Sequence, residues 1–153
     1  MNDPAGADVA LSATALEQGA SQLGLTLSPQ QTQQLQTLAS ELLRWNKAYN
    51  LTAIDRPADV LTQHLLDSLS AHATLQGEQI ADVGTGAGFP GLPLAILHPQ
   101  RQFTLIDAVD KKLRFIDHVA RTLGLANVRT RHARVEQLGP GFDTVICRAF
   151  APL

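Results

Sequence analysis

The residues best suited to chemistry lie in one run, Asp82-Val83-Gly84-Thr85-Gly86-Ala87-Gly88-Phe89-Pro90-Gly91, with a second acid, Asp107, 23 residues beyond Gly84. Glycine admits positive φ and lets ligand atoms approach bare backbone. The apolar run ahead of the glycines, Ile80-Ala81-Asp82-Val83, reads as a buried strand, and Gly91–Leu97 as a short helix. A strand that turns into a helix through glycines opens a ligand crevice at its C-terminal end. Asp107 closes the next strand, Phe103–Ile106, where a carboxylate accepts hydrogen bonds from ribose hydroxyls.

The run contains G-x-G-x-x-G from Gly86 to Gly91, the dinucleotide fingerprint, but in a poor register, because the first glycine after the strand is Gly84. Pyrophosphate also requires free amides at the helix N-terminus, and Pro90 has none to offer. A ligand with ribose and adenine but no phosphate does not miss that donor. The residues therefore favour S-adenosylmethionine, with NAD and an oxidoreductase as the second candidate. A nucleotide- or RNA-binding module without catalysis is the candidate from outside the enzymes.

These residues must be held by regular elements. From residue 79 onward strands alternate with helices: a helix from Lys111 to Leu123 stopped by Gly124, a strand at Asn127–Thr130, a turn at Val135–Leu138 and a strand at Phe142–Cys147. That alternation predicts an α/β fold with a parallel sheet and right-handed crossovers. Ahead of it, residues 1–11 read as a loose tail. A short helix then carries Leu16, Ala20 and Leu23 to a stop at Gly24. Ser28-Pro29-Gln30-Gln31 is a helix start with a capping box. That helix runs to about Ala48, with Leu35, Leu38, Leu42, Trp45 and Tyr49 on its apolar face and Gln30, Gln33 and Gln34 on a solvated one. A third helix starts near Arg56-Pro57 under an Asp55 cap and turns Val60, Leu61, Leu65 and Leu69 inward. The division expected is a helical extension over 1–76 on a core over 77–153, together one structural domain.

The chain has 153 residues and a net charge of −2, but residues 1–99 carry 3 basic and 9 acidic side chains and residues 100–153 carry 9 and 5. Lys111, Lys112, Arg114 and Arg121, with Arg129, Arg131 and Arg134 beyond them, form a basic cluster suited to phosphate backbone. No apolar run reaches the ~20 residues of a membrane helix, and the single cysteine fits a reducing cytoplasm.

The motif Asp82-Val83-Gly84-Thr85-Gly86-Ala87-Gly88-Phe89-Pro90-Gly91-Leu92-Pro93-Leu94-Ala95-Ile96 closely resembles the RsmG, or GidB, methyltransferase family. So do Trp45-Asn46 with Asn50-Leu51-Thr52, His64 with Asp67-Ser68-Leu69, Lys111-Lys112 with Phe115, and Phe142-Asp143 through Arg148-Ala149. The resemblance spans residues 25–153. It implies a Rossmann-like class I methyltransferase sheet, S-adenosylmethionine as cofactor, and bacterial methylation of guanine N7 in 16S ribosomal RNA; the chain is expected to be a cytoplasmic monomer. It places cofactor contacts at Gly84, Phe89, Val135, Glu136 and Arg148; Gly86, Gly88 and Asp107 join them from the crevice argument. The basic residues Lys111, Lys112, Arg114, Arg131 and Arg134 are the expected RNA contacts, and single-stranded or loop RNA is the more readable target. The resembling family carries further strands, so the chain is expected to be a C-terminally truncated form whose fourth strand is an open sheet edge.

Other candidates carry less. His64 and Asp67 share a helix face, for which a helix-to-loop hydrogen bond is the expected role and metal ligation the lesser one. Trp45 and Tyr49 have the spacing of core residues, with base stacking as the alternative. Cys147, between apolar strand neighbours, is expected to be a buried, inert thiol.

Overall fold

The computed structural model describes residues 11–49 and 58–147, the side chains of 58–60 excepted. The expectations for Asp55, Arg56-Pro57, Val60, Asn50-Leu51-Thr52 and Arg148 lie outside these residues. The helices are α1 (Ala13–Gln22), α2 (Pro29–Tyr49), α3 (Ala58–Leu69), α4 (Gly91–Leu97) and α5 (Asp110–Leu123); the strands are β1 (Gln79–Val83), β2 (Gln102–Asp107), β3 (Val128–His132) and β4 (Thr144–Cys147). Short 3₁₀ turns follow α3 at Ser70–Thr74 and β3 at Val135–Gln137.

Local chemistry starts and stops several of these elements. Ser28 and Gln31 close the capping box of α2: the Gln31 amide donates to Ser28 Oγ at 3.1 Å and the Ser28 amide to Gln31 Oε1 at 2.9 Å. Gly124 ends α5 in the left-handed conformation, φ +70°. Not every local expectation survives. Leu11, expected in a loose tail, is buried, and its carbonyl accepts from Gln36. Gln34 is not merely solvated: its Nε2 donates to the Leu123 carbonyl at 3.0 Å, satisfying an orphan acceptor at the end of α5.

The four strands are all parallel, in the order β3-β2-β1-β4. Side chains alternate between the faces. Ile80, Phe103 and Leu105 point to one face and join Leu35, Leu38, Leu42, Leu92, Phe115, Ile116 and Val119 in the main core, which also takes in Leu16 and Leu65 of the N-terminal helices. Ala81, Val83 and Ile106 point the other way and, among the described residues, pack against Ala133, Leu138 and Phe142. On that second face Val145 is 48% exposed. Cys147, in register with Val83, is exposed too, which corrects the expectation of a buried thiol. Apolar neighbours along a strand do not bury a residue when, among the described residues, nothing covers its face and its strand is the outer one.

The start of the sheet is braced by Asp143. Its Oδ2 accepts from the backbone amides of Glu78 and Gln79, both at 2.9 Å. Gly77, at φ +76°, leaves no room for a Cβ beside the Asp143 side chain. The amide of Gln79, and then that of Glu78, hold the Asp143 carboxyl below its ordinary value. A carboxyl with a lowered folded pKa stabilises the fold above its unfolded pKa of about 3.9 and loses that contribution as pH falls through the folded value. In urea titrations Asp143→Ala is therefore expected to be less stable than the parent chain at neutral pH, with the gap closing as pH falls below about 4. A gap independent of pH would contradict the brace.

Candidate functional site

Because the sheet is parallel, Val83, Asp107, His132 and Cys147 all reach the same end. The strand order reverses beside β1, with β2 and β3 on one side and β4 on the other. Such a switch point is where an open α/β sheet forms its ligand crevice.

The chain leaves β1 through Gly84, whose amide and that of Thr85 both donate to the Ile106 carbonyl at 2.8 and 3.0 Å. Gly84, Gly86 and Gly88 then take φ of +68°, +61° and +99°, conformations that L side chains rarely adopt. Two carboxylates hold the turn. Asp82 is fully buried, and its Oδ2 accepts from Thr85 Oγ1 at 2.7 Å and from the Gly91 amide at 2.9 Å. Asp107 accepts from the Gly86 amide at 2.8 Å through Oδ2 and from the Val109 amide at 2.9 Å through Oδ1. The Gly88 and Phe89 amides donate to the Thr85 carbonyl, and the Leu92 amide to that of Gly88.

The amides of Gly84, Thr85, Gly86, Gly88, Phe89 and Gly91 are thus consumed within the protein, and Pro90 has none. A pyrophosphate needs several free donors at this position. The glycines themselves differ. A Cβ on Gly88 would collide with the Leu92 side chain, and one on Gly91 would come within 2.7 Å of Asp82 Oδ2. A Cβ on Gly86 would meet nothing within 4 Å among the described residues. Two glycines serve packing, and Gly86 borders open space.

Phe89 is 3% exposed, with its ring centroid 4.7 Å from that of His64 on α3. The helical extension thereby props the glycine turn, a contact that no local pattern signals. Asp67 does not join His64 there; its Oδ1 accepts from Gln63 Nε2 at 3.0 Å. Among the described residues no group of three His, Cys, Asp or Glu side chains is placed to hold a metal. Val135 and Glu136 are exposed in the turn after β3. That turn is tied to the end of β2 by the Ala133 amide, which donates to the Asp107 carbonyl at 3.1 Å. Gly84, Gly86, Gly88, Asp107, Val135 and Glu136 therefore converge on the C-terminal end of the sheet, and Phe89 lies beneath them.

The basic cluster divides. Lys111, Arg114 and Arg121 are exposed on α5, with Lys112 half-buried; Arg114 Nε lies 2.8 Å from Asp110 Oδ2. In β3, Thr130 turns toward α5 and its hydroxyl donates to Asp117 at 2.9 Å. Arg129 and Arg131 consequently project from the opposite face, where Arg131 donates to the Gln137 carbonyl at 3.1 Å. Arg134 is exposed at the start of the following turn.

A parallel sheet reversing beside β1, with a glycine turn after β1 and an acid ending β2, defines the Rossmann-like class I methyltransferase fold, here with an N-terminal helical extension. Two solved structures share this fold: coclaurine N-methyltransferase bound to N-methylheliamine and SAH, with a TM-score of 0.52 and 16% identity over 88% of this chain and 50% of that one, and EvdMO1, with a TM-score of 0.51 and 23% identity over 70% and 27%. Residues 31–153 match the family model described as GidB, rRNA small subunit methyltransferase G, and the chain belongs to that family. It is 51% identical over 140 residues to the ribosomal RNA small subunit methyltransferase G of Saccharophagus degradans, covering 90% of this chain and 63% of that protein. With its counterpart in Photobacterium profundum it shares 48% over 134 residues, covering 86% and 65%. The chain thus spans a little under two thirds of the length of these two relatives.

Proposed function

We propose that the chain acts in S-adenosylmethionine-dependent methylation of guanine N7 in 16S small-subunit ribosomal RNA, in the cytoplasm and as a monomer. The observation that carries this reading is the glycine turn of a member of this family: the amides of Gly84, Thr85, Gly86, Gly88, Phe89 and Gly91 are bonded internally, so it suits a nucleoside better than a pyrophosphate. The residues fit the cofactor. Open space in front of Gly86 admits a ligand against bare backbone. Each Asp107 oxygen accepts one backbone amide and keeps acceptor capacity for a ribose hydroxyl. Gly84, Gly86, Gly88 and Asp107 would hold the nucleoside, Phe89 would contribute through the backbone that its buried ring anchors, and Val135, Glu136 and Arg148 would close the site.

When bound, S-adenosylmethionine supplies a methyl group on a sulfonium. Guanine N7 carries a lone pair in its ordinary protonation state, so no side chain has to remove a proton from it. The task left to the chain is orientation, and well-oriented reactants alone lower barriers by ~7–11 kcal/mol. Lys111, Lys112 and Arg114 on α5 would take RNA phosphates from one side of the β3 edge, and Arg131 and Arg134 from the other.

The test is transfer of labelled methyl from the cofactor to small-subunit RNA, followed by nucleoside mapping, with calorimetric titration of S-adenosylmethionine and NAD in parallel. Label in 7-methylguanosine and binding of the first cofactor alone are expected. RNA affinity is expected to fall steeply with salt, by roughly one log unit per log unit of salt for each phosphate neutralised. NAD binding, or a flat salt dependence, would overturn the corresponding part of the reading.

A further inference from the structure

Tyr49 departs from the expectation of core packing: it is 50% exposed, at the very end of α2. Its ring is nonetheless held. The Trp45 ring lies 5.1 Å from it by centroid, and Trp45 in turn packs 5.1 Å from His118 and edge-on to Phe115 at 5.5 Å. One side of Tyr49 is therefore backed by an aromatic stack, and half of the residue is exposed.

The surroundings of that exposed side follow from the helix pairing. Gln34 bonds to Leu123, Glu41 lies 2.6 Å from His118, and Trp45 reaches Phe115. Residue numbers fall on α5 as they rise on α2, so the two helices run antiparallel. One turn beyond Trp45 and one turn before Phe115 bring Tyr49 to the level of Lys111. Lys111 lies four residues past Asp107, so this level is the rim of the crevice. Lys47 and Lys111 are exposed, and neither is in an ion pair among the described residues. Arg44 and Arg114, by contrast, are paired with Glu41 and Asp110.

We propose that Tyr49 is a stacking platform for an unpaired base of single-stranded RNA, with Lys111 holding a neighbouring phosphate. The inference rests on the RNA reading above and adds to it a particular contact. An exposed aromatic with an unpaired cation at its level is the composition of single-strand nucleic-acid sites, where the ring takes the base and the cation holds the backbone. A docking protein would want a contiguous apolar patch, whereas the side chain placed level with Tyr49 on α5 is the cation Lys111.

The test uses the full chain and a fluorescently labelled single-stranded RNA oligonucleotide, titrated by anisotropy at several salt concentrations. Emission from Trp45, the only tryptophan in the chain, provides a second signal. Tyr49→Ala is expected to weaken binding about 5- to 100-fold at fixed salt without changing the salt slope, and to abolish quenching of Trp45 by the RNA. Tyr49→Phe, which keeps the ring, is expected to bind within about twofold of the parent. Lys111→Gln is expected to lower the salt slope by about one. All three variants should keep their affinity for S-adenosylmethionine. Parent-like RNA binding by Tyr49→Ala, or equal loss in Tyr49→Phe, would overturn the platform and leave the RNA reading standing. No RNA binding by the parent chain would overturn both.

Discussion

Asp82→Ala is expected to destabilise the chain by about 3 kcal/mol and to eliminate measurable cofactor binding. The carboxylate is completely buried and gathers two donors on one oxygen, the Thr85 hydroxyl and the Gly91 amide. Alanine leaves both donors in a site that water does not reach, and each orphaned group costs about 1–3 kcal/mol. It also removes the cross-tie that keeps the turn closed, since Thr85 stands at the start of the glycine run and Gly91 at its end. Because both bonds go to Oδ2, Asp82→Asn can retain both acceptor contacts with its amide oxygen in that place. Its amide NH2 group, however, takes the place of the buried Oδ1 and costs about 1–3 kcal/mol, so Asp82→Asn is expected to lose stability as well but to keep the turn closed and to retain cofactor binding. Urea unfolding and calorimetric titration with S-adenosylmethionine measure the two consequences. Cofactor binding lost as completely with asparagine as with alanine would show that the hydrogen bonds to Oδ2 do not hold the turn.

What the sequence made readable was local or periodic. The capping box at Ser28 and Gln31 closes within a single turn of chain, and the left-handed stop at Gly124 is a single-residue property. The strand ending at Val83 and the acid ending the next strand are readable because apolar runs and glycines punctuate them. What was not readable depends on partners far along the chain. Gln34 sits on the polar side of its helix by period, yet it caps a helix end 89 residues away. Tyr49 shares the period of Leu38, Leu42 and Trp45, but α2 outruns the core by a turn, and periodicity does not record where a neighbour ends. Cys147 has the neighbours of a core residue and the position of an edge. The basic run reads as one patch until the alternation of β3 sends Arg129 and Arg131 away from the lysines of α5. Asp82 was visible as part of the motif, but its role as a tie across the turn needed the fold of the turn itself.

Gly86→Ala is expected to separate folding from binding within this one motif. Its φ of +61° lies in the left-handed region, where alanine costs ~1–2 kcal/mol. Among the described residues no atom stands within 4 Å of the new methyl group, so no steric overlap adds to that cost and the variant is expected to fold. The methyl group instead enters the space from which a ligand would approach the backbone. An overpacked contact costs ~1–3 kcal/mol, and ~1.4 kcal/mol is tenfold in affinity, so S-adenosylmethionine affinity should fall at least about tenfold. Gly88→Ala, two residues on, should fail the other way: its φ of +99° lies outside the left-handed well, and its methyl group meets Leu92 and, at 3.3 Å, Ile116. That variant is expected to lose about 3 kcal/mol or more of stability, from strain and overpacking together. Thermal unfolding with and without cofactor reads both effects: Gly86→Ala should melt only a few degrees below the parent and gain less stabilisation from the cofactor than the parent does, and Gly88→Ala should melt well below both. If Gly86→Ala binds the cofactor as the parent does, the space before Gly86 is not the approach to the site, and the crevice lies instead toward Val135 and Glu136.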